Sequence, residues 1–161
     1  VKAYIGTKII NAMPMSRASY NAMRNLELPA NENGGDDGYL VEYLDGGTPN
    51  HPDFAGYVSW SPKAQFEGAY QETTGLTFGL ALAAMKKGAK VAREGWNGKG
   101  MFVYIVPAAS YPAQTGVAKG YFGDGALVPY AAYMAIKNVN ETVSTWVPSV
   151  NDCLAEDWSI A

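Results

Sequence analysis

Apolar and polar residues alternate in two ways along this chain. Tyr4–Ile10 is a short β-rich run. From Ser16 to about Leu26 the spacing turns helical, with Tyr20, Met23 and Leu26 on one face and Ser16 at the N-cap. Pro29 to Gly38 is an acidic, glycine-bearing loop. Tyr39–Leu44 and Gly56–Trp60 then predict two hairpin strands broken by Asp45-Gly46-Gly47. Ser61-Pro62 predicts a helix start, with Pro62 at its first position and Phe66 and Tyr70 four apart on one face. After Glu72-Thr73-Thr74-Gly75 the pattern restarts. Thr77 is placed to cap a helix over Phe78–Lys87, and Gly88 to end it. Strands are predicted at Lys90–Glu94, Met101–Val106, Tyr130–Lys137, Thr142–Val147 and Trp158–Ala161, with a short helix opened by Pro148 and Ser149. The stretch from Ala108 to Val128 shows no period and is predicted irregular. The fold class that follows is α+β: small antiparallel sheets with short helices packed on one face, in two modules, residues 1–72 and 73–161.

Length and composition fit that picture. The chain has 161 residues, 48% hydrophobic and 17% charged, which is the balance of a folded globular protein. The longest apolar stretches, Leu80–Met85 and Met101–Ala109, are far shorter than the roughly 20 residues of a membrane span. The first residues, Val1 to Gly6, show no apolar leader, so we expect none. One cysteine excludes an internal disulfide and a cysteine-based zinc site, and one histidine excludes a histidine pair. No metal or cofactor is expected. Net charge is −3, which argues against a duplex nucleic-acid binder. Residues 1–72 carry 5 basic and 9 acidic side chains, residues 73–161 carry 7 and 6, so the second module is the better host for a small anion.

Familiar catalytic patterns are weak. Gly120-Tyr121-Phe122-Gly123-Asp124-Gly125 lacks phosphate-loop spacing. His51 lies in a proline-flanked turn, and no serine sits on a nucleophile elbow. Cys153 is expected as a small buried thiol. Glu156 and Asp157 are adjacent in sequence and do not form a facing carboxylate pair.

The richer cluster is Arg93-Glu94-Gly95-Trp96-Asn97-Gly98-Lys99-Gly100. Trp96 offers a flat face for a nucleobase, Arg93 or Lys99 can meet a phosphate, and Asn97 can pair with a base edge or a ribose hydroxyl. The glycines let backbone N–H groups approach an anion. The alternative reading is that Trp96 is a core residue and Arg93-Glu94 a surface pair.

In its setting this cluster carries a resemblance. Leu76–Gly88, then Val91–Phe102, and the closing Leu154-Ala155-Glu156-Asp157-Trp158 are similar to the second class of Thoeris anti-defence proteins of phages and prophages. The resemblance covers about residues 75–161. It implies a non-enzymatic sponge that binds a cyclic nucleotide immune signal without cutting it. The signal in that family is glycocyclic ADP-ribose, and some members also hold cyclic dinucleotides. The resemblance implies a homo-oligomer, commonly a tetramer, with pockets between subunits, working in the cytoplasm of the bacterial host. It also implies that Trp96 stacks on a base beside Arg93 and Asn97. Met101 and the Ser149 to Asp152 turn carry over by position. With Lys99, the expected ligand residues are Arg93, Trp96, Asn97, Lys99, Met101, Ser149 and Asp152. The stretch Tyr111–Ala126 and the turn Val150–Leu154 depart from the family pattern. Lys2–Lys8 with Gly56–Lys63 resembles a short module found in phage proteins, whose role stays open between assembly, a second ligand and packing. Two other functions stand beside the sponge: a nucleotide-cleaving enzyme with Glu94 or Asp157 as base, and a structural protein in which Trp96 and Trp158 are core.

Overall fold

A computed structural model describes residues 1–161. The chain forms two compact units, Val1–Gln71 and Glu72–Ala161. The fold is α+β with small antiparallel sheets. No helix is long and apolar enough to cross a membrane.

The first unit contains β1 (Asn11–Pro14), α1 (Arg17–Met23), β2 (Gly38–Tyr43), β3 (Tyr57–Pro62) and α2 (Lys63–Ala69). Its sheet has the order β1-β2-β3. Ser16 caps α1 by accepting from the Ser19 N–H, as its sequence position predicts. Tyr20 of α1 is buried with Leu40 and Val58, and its hydroxyl donates to the Val58 carbonyl. On the alternate residues of β2, Tyr39 stacks on Phe66 of α2 with ring centroids 4.1 Å apart. Glu42 is a buried carboxylate satisfied by the Asn11 amide and the Gly56 N–H, each at 3.0 Å. Those bonds, led by Asn11, hold its pKa below the usual carboxylate value.

Two expected boundaries move. The strand predicted over Tyr4–Ile10 lies instead at Asn11–Pro14, because the Asn11↔Glu42 pair sets the register while Tyr4 and Ile5 stay exposed. Pro62 ends β3 and stands at the cap of α2, with no side-chain cap bond from itself; the Asp37 carbonyl accepts from the Lys63 N–H. The Gly38↔Pro62 pairing carries the strand one step further than the Ser-Pro signal implies.

The second unit contains β4 (Thr74–Leu76), α3 (Phe78–Lys86), β5 (Val91–Arg93), β6 (Phe102–Val106), β7 (Ala109–Pro112), α4 (Gly116–Phe122), β8 (Leu127–Tyr130), β9 (Tyr133–Lys137), β10 (Val143–Thr145), α5 (Val150–Leu154) and β11 (Trp158–Ile160). Six strands form one antiparallel sheet in the order β10-β9-β6-β5-β11-β4, and β7 and β8 pair separately. Thr77 caps α3 through the Leu80 N–H, and Gly88 follows it at φ +91°, a conformation that glycine takes without a Cβ penalty. Ala81, Ala84 and Met85 of α3 pack with Val91, Val103, Ile136 and Trp158 in one core. Trp158 and Val103 are fully buried.

The segment expected to be irregular, Ala108 to Val128, instead holds β7, α4 and β8. Thr115 caps α4 through the Ala118 N–H. Only Ala113 and Val128 of this arm are buried, so it carries no apolar period that a sequence reading could detect. Cys153, expected inside, is exposed. The five-residue α5 turns Asp152 inward, and the neighbouring position therefore faces out.

Candidate functional site

The site is built where β5 leaves the sheet and where α5 meets β11. Arg93, the last residue of β5, is held by two carboxylates. Its Nε donates to Asp157 at 2.7 Å, its Nη2 donates to the same group at 3.3 Å, and its Nη1 donates to Asp152 at 2.9 Å. The loop that follows is tied to β11's approach: the Glu94 N–H donates to the Asp157 carbonyl and the Gly95 N–H to the Asp157 carboxylate at 2.8 Å. A Cβ at Gly95 would lie 2.8 Å from that carboxylate oxygen, so a side chain there would push Asp157 away from the Gly95 N–H.

Asp152 organises the other side. Ser149 and Asp152 form a capping box at the start of α5, with the Ser149 hydroxyl and N–H both donating to Asp152 Oδ2, at 2.7 and 2.9 Å. Asp152 Oδ1 accepts from Arg93 and, at 3.3 Å, from the Trp96 indole N–H. The Asp152 backbone carbonyl accepts from the Trp158 indole N–H at 3.0 Å. One residue thereby joins a helix cap, a cation and two tryptophans.

Trp96 is half-buried. It meets Trp158 edge-on at 5.4 Å and Trp146 edge-on at 6.1 Å between centroids. Edge-to-face contacts of this kind add to burial and fix the ring's orientation. Asn97 and Lys99, further along the loop, are exposed. Met101 is half-buried against the core, and a Cβ at Gly98 would overlap its sulfur and the Val139 side chain.

These bonds set the charges. Burial pushes the Asp152 pKa up, but the Ser149 hydroxyl and N–H, then Arg93 and Trp96, outweigh it, and the carboxyl settles at about 2. The Arg93 hydrogen bond holds Asp157 below its ordinary value, and Asp157 followed by Asp152 raises the pKa of Arg93. Both carboxylates are ionised at neutral pH and are weak proton acceptors. No group of three or more His, Cys, Asp and Glu side chains is placed to hold a metal ion.

Of the expected ligand residues, the structure brings Arg93, Trp96, Ser149 and Asp152 into one bonded network. Asn97 and Lys99 stand on the same loop with their side chains outward, and Met101 serves the packing beneath it. Three of the five Arg93 N–H donors are already engaged by carboxylates. Arg93 thus ties Asp152 and the loop together, with two N–H donors outside these bonds. Sequence reasoning weighed Asp157 only as a base; here it is the anchor of the loop. Its place beside Trp158 in the closing motif was the available signal.

Residues 76–161 match the family described as Tad2-like, the Thoeris anti-defense 2-like domain. The match includes the 111–126 stretch and the whole network above. The chain is also similar to the protein named Thoeris anti-defense 2 of Bacillus phage SP01, at 36% identity over 87 residues, which is 54% of this chain and 96% of that protein. Through residues 76–161, the chain belongs to the Thoeris anti-defense 2-like family and is an anti-defence protein of that family.

Proposed function

We propose that the second unit is a sponge: it binds a small cyclic nucleotide immune signal, glycocyclic ADP-ribose in the first instance, and holds it without cleavage. The observation that carries this reading is the Arg93–Gly100 loop. A half-buried tryptophan is fixed on it by Asp152 and two tryptophan edges, while Asn97 and Lys99 stay exposed beside it. A base meets the free surface of Trp96, Asn97 reads a polar edge, and Lys99 meets a phosphate. Stacking of a base on an aromatic ring contributes about 1–3 kcal/mol. Retention of a micromolar to nanomolar signal needs about 8–12 kcal/mol. One loop falls short of that, so the proposal includes a homo-oligomer, a tetramer in the first instance, in which a second copy completes the pocket. Exposed Tyr111, Val117, Tyr121 and Leu127 on the β7–α4–β8 arm are apolar surface available for such contacts.

Asp152 and Asp157 support holding over cutting. Each is tied by Arg93 and kept ionised well below neutral pH, so neither is poised to take a proton. The site of action we propose is the cytoplasm of the bacterial host, where such a signal is made.

Calorimetric titration of the full chain with glycocyclic ADP-ribose tests the proposal, followed by heat release of the ligand and chromatography. Tight binding with intact ligand recovered is the expected result. An altered ligand would make the protein an enzyme, and the absence of binding to this ligand and to cyclic dinucleotides would overturn the sponge. Trp96→Phe loses the indole N–H bond to Asp152 and is expected to lower the melting temperature by a few degrees, with the chain still folded at 25 °C and binding weakened.

A further inference from the structure

Two Asn-Gly steps occur in the chain: Asn33-Gly34 in the first unit and Asn97-Gly98 in the loop that follows β5. Such a step can react with itself. The glycine nitrogen can close a five-membered ring on the asparagine Cγ, and glycine has no Cβ to obstruct the approach. Ring closure needs the side-chain amide and the next N–H to be free to turn toward each other. Both asparagines are exposed, so access to solvent does not separate them. Their bonding does.

Asn33 is held at both ends of its amide. Its Oδ1 accepts from the Gly35 N–H and its Nδ2 donates to Asp36 Oδ1, each at 3.0 Å. The Asn33 carbonyl accepts from the Asp36 N–H at 3.1 Å, and the Gly34 carbonyl from the Ala18 N–H at 2.9 Å. Asn97 is not held in this way: neither its amide nor the Gly98 N–H is hydrogen-bonded within the chain. Gly98 itself is closely packed. A Cβ there would lie 2.2 Å from the Met101 sulfur and 2.5 Å from a Val139 methyl. The packing under the loop thus favours the same glycine that makes Asn97 reactive.

We propose that Asn97 is a site of spontaneous modification, converted through a succinimide to aspartate and isoaspartate. The Gly98 nitrogen bonds to Asn97 Cγ, its proton passes to Nδ2, and the Cγ–Nδ2 bond breaks to release ammonia. Water, the one co-reactant, then opens the ring at either carbonyl. Both products carry a carboxylate, and isoaspartate also adds a carbon to the backbone between Trp96 and Gly98. The loop gains a negative charge in either case. The functional consequence rests on the sponge reading: the new charge faces the phosphates of the ligand, so the loop loses affinity as the protein ages.

The full chain is aged in neutral buffer and, in parallel, unfolded in guanidinium chloride, and both samples are followed by peptide mass mapping. In the folded chain Asn97 is expected to convert at least about tenfold faster than Asn33, since two amide hydrogen bonds must break at Asn33 and none at Asn97. That difference is expected to collapse on unfolding. Isoaspartate is expected beside aspartate, because a ring opened at both carbonyls yields both. Equal rates in the folded chain would overturn the proposal, as would a difference that persists on unfolding, or aspartate alone. Asn97→Gln, whose longer side chain closes a ring far more slowly, is expected to abolish the change at this position. Asn97→Asp is expected to bind glycocyclic ADP-ribose at least about tenfold more weakly than fresh unsubstituted chain. Full affinity in that variant would overturn the loss with age. A fresh chain that binds neither this ligand nor cyclic dinucleotides would overturn the sponge and leave the mass-mapping result to decide the modification.

Discussion

The corner where β5, α5 and β11 meet and the β7–α4–β8 arm belong to the same unit but are built on different physics. In the corner, Trp158 is fully buried, Asp152 satisfies four donors with its two carboxylate oxygens, and Arg93 ties both carboxylates. No buried side-chain polar atom there is without a partner, so burial costs little and the geometry is over-determined. The arm has two short strands and a seven-residue helix, with Tyr121 84% and Val117 86% exposed. A two-stranded ribbon is marginal by itself in water. The corner is thus finished within one chain, whereas the arm leaves apolar side chains in solvent. The difference separates the part that holds the fold from the part that would carry association in the oligomer we propose.

Substitutions sharpen that contrast. Trp158→Ala removes the largest fully buried side chain and is expected to lower unfolding free energy by about 3–5 kcal/mol in urea titration. A loss under about 1 kcal/mol would show that the corner is not the keystone of the unit. Asp152→Ala leaves Arg93, the Trp96 indole N–H and the Ser149 hydroxyl and N–H without their carboxylate acceptor; about 2–4 kcal/mol is expected by the same measurement.

Acid tests the corner through its charges. The folded pKa values of Asp152 and Asp157 are depressed, so the stability they supply is complete above their unfolded value near 3.8. It is lost as pH falls through the folded values, about 2 for Asp152. Denaturation midpoints measured from pH 5 down to 2 are expected to fall, and to fall less steeply in Asp152→Asn. Equal slopes would mean that the pairing does not stabilise the fold. Ser149→Ala removes half of the capping box and is expected to cost about 1 kcal/mol.

The arm gives the smallest effect on a single chain. Tyr121→Ser is expected to change unfolding free energy by no more than about 0.5 kcal/mol, since the ring is exposed. If the arm is an association surface, the same substitution shifts the size distribution in light scattering toward smaller species. An unchanged distribution would relieve the arm of that role.

Local signals were legible without a structure. Ser16, Thr77 and Ser149 are caps because their hydroxyls answer N–H groups three residues away, and that chemistry is written in the sequence. Gly88 ends α3 for the same local reason, its positive φ. Strands β5, β6 and β9 follow from β-rich runs bounded by breakers. The Trp96 loop was visible as a cluster of residue types, and the family resemblance rested on motifs of contiguous residues.

Partnership across the chain was decided only by the tertiary structure. Arg93 and Asp157 are 64 residues apart, and nothing in either neighbourhood says that the arginine is taken by carboxylates before a phosphate reaches it. The strand at Asn11–Pro14 depends on a bond to Glu42, 31 residues on, and not on the β-rich run before it. Cys153 faces out because the inward position of a five-residue helix went to Asp152. Hydrogen bonds to near neighbours are fixed by the order of residues. Ion pairs, strand registers and the choice of buried face are fixed by which distant segments meet, and only the folded chain brings them together.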